Sequence, residues 1–304
     1  MNTTPASSLP LVSVIVPVYN HAPYVLEALD SVREEGYPHL ELLILDDGSR
    51  DDSFPIVTAW VEQNAARFAR IKAWSQPNAG VCRTLNRLIA EASGEFVTMV
   101  ASDDRLLPGG IQARVEALEQ HPEWLLVFGD AQTIDGKGAL TQTSTLRAHR
   151  ADLEALNNPS RLPFELLLRW SLPGPVYVAR RSAWDPVEGV GPYDETLFLE
   201  DRDFYLKLLA RRAVGFLPEA VAQYRVHGSN ACKDPARRPV LRETLARSAE
   251  QNVQRFSGVA RRILVAQAQE RRSALEGKRW TRLRAKLVLG GFRVLHRLQM
   301  LRMP

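Results

Sequence analysis

The chain has few cysteines: two in 304 residues, Cys82 and Cys232, with no CxxC pair. This scarcity excludes a disulfide framework and a cysteine-based zinc site, and it favours a reducing compartment. No run of about 18 apolar residues occurs, and the first ten residues lack the basic and apolar segments of a secretory signal. We therefore expect a cytoplasmic protein with no membrane span and no secretion signal.

Two common phosphate-binding loops are also missing. The first apolar run is followed by Pro17-Val18-Tyr19-Asn20 where a dinucleotide fold would carry GxGxxG, and no GxxxxGK[ST] occurs anywhere. The sequence therefore supports neither a dinucleotide fold nor a P-loop. A nucleotide bound without such loops needs carboxylates for its base and ribose and a metal for its phosphates.

Charge is distributed unevenly along the chain. From Arg237 onward there are 17 Lys and Arg against four Glu, whereas the residues before it carry 22 bases and 31 acids. The chain is thus an acidic body with a basic tail. Such a tail commonly meets an anionic surface, either lipid or nucleic acid, although it can also be a solvated helical face.

Strand and helix patterns alternate through the first half. Continuous apolar or β-branched runs at 11–19, 41–47, 70–75 and 95–101 predict strands, and amphipathic segments starting near residues 23, 51, 81 and 108 predict helices. This order indicates an α/β domain with a mainly parallel sheet. The strands predicted at 124–134, 175–181 and 214–227 follow a less regular order, and helices are expected from about residue 239.

Acidic pairs stand where two of these strands end. Asp46-Asp47 and Asp103-Asp104 follow the second and fourth strands, and ligands of an open parallel sheet bind beyond such carboxyl ends. We expect both pairs to face one cleft, where a hard cation or the donors of a ligand would neutralise them. Alternatively, each pair ends its strand and caps a helix, as Asp51-Asp52 is expected to do.

Six segments resemble the family 2 glycosyltransferases in order and spacing: VSVIVPVYN (12–20), LDDGSRDDS (45–53), QPNAGVCRTLN (76–86), GEFVTMVASDD (94–104), GPYDETLFLEDRDFYLKL (191–208) and YRVHGSN (224–230). They cover about three quarters of the chain. The resemblance implies a GT-A fold, an α/β mainly parallel nucleotide-binding sheet flanked by helices. It divides the chain into a disordered segment 1–10, a catalytic domain 11–235 with a nucleotide-sugar half 11–134 and an acceptor half 135–235, and a basic helical extension 236–304.

The resemblance also implies how the donor is bound. Asp47 accepts a hydrogen bond from the nucleobase imide, which favours uracil or thymine because a carboxylate only accepts. The remaining nucleotide contacts are expected from Pro17, Tyr19, Asn20, Asn78, Gly80, Arg83, Asp103 and Arg225. Tyr19 is equally compatible with a packed turn. Relatives commonly place Arg and Asn together in the third helix, whereas here Arg83 and Asn86 are separated, which leaves their contacts open.

Metal and catalytic roles follow from the same comparison of motifs. Asp104 would bind Mg²⁺ or Mn²⁺ bridging the donor diphosphate, with Asp103 on the ribose or the metal's water, and His227 would complete the site or be an ordinary surface residue. Asp201 would act as general base for an inverting transfer, and Glu200 would orient the loop or bind the acceptor. The alternative for this acidic run is a favourable first turn of the helix that continues to Arg211.

The last segment predicts a basic amphipathic helix from Lys278 onward. Its apolar residues at near-helical spacing are Trp280, Leu283, Leu287, Leu295 and Leu298, and Gly290-Gly291 should break or kink it. Such a helix lies on an anionic membrane surface, or it packs on the catalytic domain or a second subunit.

These patterns give one leading hypothesis and two alternatives. The leading one is a metal-dependent enzyme that moves a sugar from a UDP- or dTDP-sugar to a lipid-linked or cell-surface glycan at the inner face of the membrane, as a possible homo-oligomer. The first alternative is a non-catalytic adaptor that binds membrane or nucleic acid through the tail, although nucleic acid is disfavoured because few aromatics interrupt the tail. The second is a nucleotidyltransferase, which the missing phosphate loop disfavours.

Overall fold

The fold is taken from a computed structural model, which describes residues 9–228, 230 and 235–301. Most of the predicted disordered N-terminus, Cys232 and the last three residues lie outside this range. The strands are β1 (Val12–Val18), β2 (Leu40–Asp46), β3 (Arg70–Ser75), β4 (Phe96–Met99), β5 (Arg105–Leu106), β6 (Leu126–Asp135), β7 (Leu140–Gln142), β8 (Tyr177–Arg180) and β9 (Val214–Val226).

Helices connect and cover these strands. They are α1 (Val25–Glu34), α2 (Ser53–Asn64), α3 (Val81–Glu91), α4 (Gly110–Gln120), α5 (Thr145–Ala148), α6 (Leu153–Leu156), α7 (Leu162–Leu168), α8 (Asp201–Ala210), α9 (Arg238–Asn252), α10 (Gly258–Leu275) and α11 (Arg279–Arg297). The alternation of strands and helices expected from the sequence is confirmed through α4, and α3 begins at Val81, where the pattern predicts a helix.

One mixed sheet runs through the molecule in the order β3-β2-β1-β4-β8-β6-β9-β5, with β7 beside β6. β1 to β4 pair in parallel, whereas β8 is antiparallel to both β4 and β6. β6 and β9 again pair in parallel. The mainly parallel sheet predicted from the sequence is confirmed, and the less regular order expected of the later strands appears at β8, which reverses the direction at the centre.

Apolar burial explains the first strands. β2 is buried along its whole length and β1 almost so, because helices cover both faces of the sheet. α1 buries Val25, Ala28, Leu29 and Val32, the face that its periodicity predicts. β3 is the edge strand, and its residues are only partly covered.

The C-terminal helices share an apolar core with the middle strands of the sheet. Ala249 of α9, Ile263 and Leu264 of α10, and Leu289 and Phe292 of α11 pack in the same apolar cluster as β4, β6 and β8. The segment 236–301 is therefore continuous with the rest of the fold rather than an appended arm.

α11 differs from its prediction in two ways. It continues through Gly290 and Gly291 without ending, because its neighbours hold it: α11 packs against α10 and α7. Its inward residues are Ala285, Leu289, Phe292 and His296, whereas Trp280, Leu283, Leu287 and Leu298 remain exposed. Within the described residues, no helix is both long and apolar enough to cross a bilayer.

Candidate active site

Three neighbouring strands bring the predicted acidic groups to one edge of the sheet. β2, β1 and β4 are adjacent and parallel, so the residues that follow them meet at the same carboxyl edge. Asp47 follows β2, Tyr19 and Asn20 follow β1, and Asp103 follows β4. The N–H of Asp47 donates to the Val18 carbonyl at 2.8 Å, which joins the first two ends directly.

The Asp47 carboxylate is buried and organises the loop after β3. Its oxygens accept the side-chain amide of Gln76 at 2.7 Å and the backbone N–H groups of Ala79 and Gly80 at 2.8 and 2.9 Å. The Asn78 amide donates to the Asp47 carbonyl at 3.1 Å. A carboxylate offers about four acceptor positions, so roughly one remains for a ligand N–H.

Two glycines shape this loop region through positive φ angles. Gly48 has φ of +74°, and a Cβ there would lie 2.8 Å from the backbone nitrogen of Asn78. Gly80 has φ of +88° and directly precedes α3. Both conformations are unfavourable for residues with a side chain.

A second group of side chains lies beyond β1 and β4. Ligand atoms of His21, Asp103 and His227 lie within 4.8 Å of one another. His227 Nε2 is 2.9 Å from an Asp103 oxygen, and His21 Nδ1 is 3.8 Å from the other. Burial lowers the pKa of His21, which favours the neutral, ligating imidazole.

The donor set fits a divalent transition metal. Mn²⁺ accepts imidazole together with carboxylate, whereas Mg²⁺ prefers oxygen ligands throughout. His21 was not predicted as a ligand from the sequence. Its position beside Asn20, just after the first strand, was the one feature that could have indicated this role. Asp103 and His227 were both predicted near the cation.

Asp104 and Arg225 occupy a different environment from their neighbours. An Asp104 oxygen accepts the Arg225 backbone N–H at 2.7 Å, and burial raises the pKa of Asp104 well above its usual range. The Arg225 side chain is buried and donates to the Asp103 carbonyl at 2.7 Å and pairs with Glu27. These contacts make both residues supports of the Asp103 turn.

Glu200 and Asp201 lie together at the start of α8. Burial, together with the adjacent Asp201 charge, raises the pKa of Glu200 to about 8. The pKa of Asp201 is also raised, chiefly by burial, while hydrogen bonds from the Arg202 N–H and the Trp170 side chain oppose the rise. Raised carboxyl pKa values are common where a group exchanges protons.

α3 connects the Asp47 loop with the Glu200–Asp201 segment. Cys82 Sγ lies 3.1 Å from the Leu197 carbonyl, and burial, with smaller contributions from the charges of Glu200 and Asp201, raises the pKa of this thiol to about 12. Arg83 pairs with Glu195 at 3.0 Å, and Asn86 donates to the Tyr193 carbonyl at 2.9 Å. Arg83 thus holds the loop before the acidic pair instead of standing unpaired for phosphate.

The end of β1 supplies the remaining predicted residues. Pro17 is the sixth residue of β1, and Tyr19 is 37% exposed at its end. Asn20 has φ of +54°; its N–H donates to Ser49 Oγ and its side chain accepts the Arg50 N–H. Asn20 therefore ties the loops after β1 and β2 together.

A comparison with known families adds to this geometry. The model of glycosyl transferase family 2 matches residues 13–168. The chain belongs to glycosyl transferase family 2. This match includes Asp47, Asp103 and the loop at Asn78, and it ends before α8 and the C-terminal helices.

Relatives and solved structures agree with the family and with a GT-A fold. An uncharacterized glycosyltransferase of Rickettsia felis is 27% identical over 227 residues, 74% of this chain and 35% of that protein. The Staphylococcus aureus TarS 1-349 structure with UDP-GlcNAc has a TM-score of 0.65 at 19% identity, covering 86% and 72% of the two chains. The Pyrobaculum calidifontis mannosyltransferase PcManGT with GDP-Man and Mn²⁺ has a TM-score of 0.66 at 20% identity, covering 95% and 76%. The chain spans about a third to two thirds of the first curated relatives it matches.

Proposed function

We propose that the chain transfers a sugar from a nucleotide diphosphate donor to an acceptor hydroxyl, with inversion at the anomeric carbon. The observation that carries this proposal is the pair of partly buried carboxyl groups Glu200 and Asp201, linked through α3 to the Asp47 loop. Family membership supports nucleotide-sugar chemistry, and the solved structures bound to UDP-GlcNAc and GDP-Man support it as relatives in fold.

Asp47 is our candidate for base recognition. Its remaining acceptor position suits an imide N–H, which favours a uracil or thymine base, and the exposed Tyr19 ring lies after the neighbouring strand. Pro17, Asn20, Asn78 and Gly80 would complete the walls around the base and ribose. A UDP- or dTDP-sugar is therefore the donor we favour.

His21, Asp103 and His227 are our candidate cation ligands, with Mn²⁺ favoured over Mg²⁺ by the two imidazoles. A bound divalent cation would neutralise the charge that develops on the leaving diphosphate. Asp104, for which the sequence suggested the main ligand role, accepts the Arg225 N–H in this arrangement and positions the Asp103 turn.

Asp201 is our candidate general base. It would take the proton of the acceptor hydroxyl as that oxygen attacks the anomeric carbon from the face opposite the diphosphate. The oxygen–carbon bond to the acceptor forms as the bond to the diphosphate breaks, so one displacement inverts the configuration. Glu200, whose pKa is raised like that of Asp201, would hold the acceptor or the loop.

The acceptor we favour is a lipid-linked or cell-surface glycan reached at an anionic membrane surface. Trp280, Leu283, Leu287, Val294 and Leu298 form an exposed apolar stripe on α11, opposite its buried face. Exposed bases flank the stripe, and no acid follows Glu276 in the sequence. This combination suits the surface of an anionic bilayer.

Asp201→Asn tests the enzyme proposal. The variant should keep nucleotide binding while transfer falls by about 10²- to 10⁴-fold, because only the proton acceptor is lost. Donor screening with a panel of nucleotide sugars and Mn²⁺, read by mass spectrometry, measures transfer, and calorimetry with UDP measures binding. Asp185→Asn, an exposed turn residue, is the matched control.

Undiminished turnover of Asp201→Asn would refute the base assignment. The adaptor alternative predicts something else: membrane or nucleic-acid binding that persists unchanged when Asp103 and Asp201 are both neutralised, with no nucleotide binding by the wild-type protein.

A further inference from the structure

A basic cavity lies next to the proposed general base. It has a volume of about 380 Å³ and is lined by His149, Arg150, Leu168, Arg169, Trp170, Arg293 and Arg297. The lining contains four arginines and no acid. Two of these residues directly follow α5, three are the last residue of α7 and the two residues after it, and α11 supplies the other two.

The positive charge of this cavity is only partly neutralised. Arg169 lies 3.7 Å from the buried Glu165 and donates to the Arg150 carbonyl at 2.7 Å. His296 Nε2 also lies within hydrogen-bond distance of a Glu165 carboxylate oxygen, at 2.7 Å. Arg293 and Arg297 are exposed and form no ion pair with the described part of the chain. The cavity therefore keeps a net positive charge.

Trp170 lies between the cavity and the carboxyl groups of Glu200 and Asp201. Its ring lines the cavity, and its side chain lies close enough to the Asp201 carboxyl to lower the pKa of that group. The Arg202 guanidinium lies 6.0 Å from the same ring and Tyr205 packs against its edge, so α8 fixes the orientation of the indole. A group held by the arginines is thus one side chain away from the proposed base.

We propose that this cavity binds a phosphate group of the acceptor and so places the acceptor's hydroxyl at Asp201. Arginine forks suit phosphate oxygens, and the indole offers an apolar face to a sugar ring. This inference rests on the proposed function, because it assigns the acceptor side of the same reaction. The phosphate belongs either to a soluble glycan phosphate or to a lipid.

Inorganic pyrophosphate in EDTA is the first probe, measured by calorimetry. Arg293→Ala/Arg297→Ala should weaken its binding at least about tenfold, because two charged donors are lost. Arg279→Ala/Arg284→Ala is the matched control: both residues are exposed on α11, neither lines the cavity, and the net charge changes equally. Melting temperatures check that both pairs fold.

Equal weakening by both pairs, or by neither, would overturn the proposal. Vesicles of phosphatidylcholine with phosphatidylglycerol then distinguish the sources. If the phosphate belongs to a lipid, Arg293→Ala/Arg297→Ala weakens vesicle binding more than Arg279→Ala/Arg284→Ala does, and pyrophosphate competes with the vesicles. If it belongs to a soluble glycan phosphate, the two pairs weaken vesicle binding alike, because each removes two exposed bases of α11, while α-D-glucose 1-phosphate competes with pyrophosphate.

The proposed function is judged separately. Calorimetry of the wild-type protein with UDP and Mn²⁺ tests the donor site, and a failure there would remove the donor assignment. The difference between the two arginine pairs for pyrophosphate would remain, because binding at the donor site affects both pairs alike.

Discussion

At the scale of single residues, the candidate cation site consists of two imidazoles and one carboxylate, those of His21, His227 and Asp103. The three side chains come from the ends of β1, β4 and β9, which are far apart in the sequence. Each fold element therefore contributes one ligand, and the site exists only in the folded chain.

His21→Ala should weaken Mn²⁺ binding at least about tenfold, since one ligand of three is lost and even outer-shell changes have effects of this size. Electron paramagnetic resonance of free Mn²⁺ gives the dissociation constant. His121→Ala is the control, because this exposed ring stacks on Trp124 away from the cluster. Equal affinity in His21→Ala and the wild type would show that the cation binds elsewhere.

Glu200 should make stability depend on pH. Burial raises its pKa from 4.5 to about 8, so between these values the folded chain keeps a proton that the unfolded chain releases. This contribution to stability is complete below pH 4.5 and is lost as the pH rises towards 8. Glu200→Gln does not titrate, so its melting temperature should exceed that of the wild type more at pH 8.5 than at pH 5.

Thermal unfolding at both pH values provides the comparison. Glu188→Gln removes an exposed carboxylate and should show no such pH-dependent gain. A difference between Glu200→Gln and the wild type that stays constant from pH 5 to 8.5 would contradict a raised pKa at this site.

At the scale of elements, the loop after β2 depends on backbone conformation as much as on side chains. Gly48→Ala should cost about 1–3 kcal/mol and weaken UDP binding, because the added Cβ meets the Asn78 backbone at 2.8 Å in addition to the strain of a positive φ. Gly36→Ala is the control: φ is +97° but nothing lies within 4 Å, so it should lose some stability and keep UDP binding.

Denaturant unfolding and calorimetry with UDP measure the two effects. If Gly48→Ala and Gly36→Ala lost equal stability and both kept UDP binding, the contact between the Gly48 and Asn78 loops would have no part in the nucleotide site.

Strands β1 to β4 and helices α1 to α4 were predictable because each depends on the periodicity of its own segment, whereas the two-residue strand β5 is too short to carry such a pattern. The antiparallel direction of β8 was not, since a short apolar run carries no information about its partner. Similarly, the sequence predicted that Arg225 lies near the nucleotide site. It could not predict the ion pair of Arg225 with Glu27, because the two residues come from β9 and α1.

At the scale of the whole molecule, the C-terminal helices hold the acidic pair in place. Asn252 of α9 donates to Asp203 at 2.6 Å, and Gln267 of α10 accepts from Arg202 at 2.7 Å. The Phe198 N–H donates to Thr244 at 3.0 Å. The C-terminal segment from residue 236 was predicted to be an extension because of its positive charge. It supports the loop before α8, and only tertiary contacts could show this.

The same helices leave one apolar surface uncovered, the α11 stripe, and its orientation predicts how the molecule meets a membrane. Leu283→Ser/Leu287→Ser should weaken binding to vesicles of phosphatidylcholine and phosphatidylglycerol at least about tenfold in a sedimentation assay, because partial insertion of two leucines contributes more than about 1.4 kcal/mol. Leu140→Ser/Val187→Ser removes two exposed apolar residues elsewhere and should keep binding.

Vesicles of pure phosphatidylcholine should bind the wild-type protein weakly, since the bases beside the stripe then have no anionic lipid to contact. Equal loss with both pairs would show that the stripe is not the membrane-facing surface, and binding that neither pair weakens would leave charge alone as the attraction.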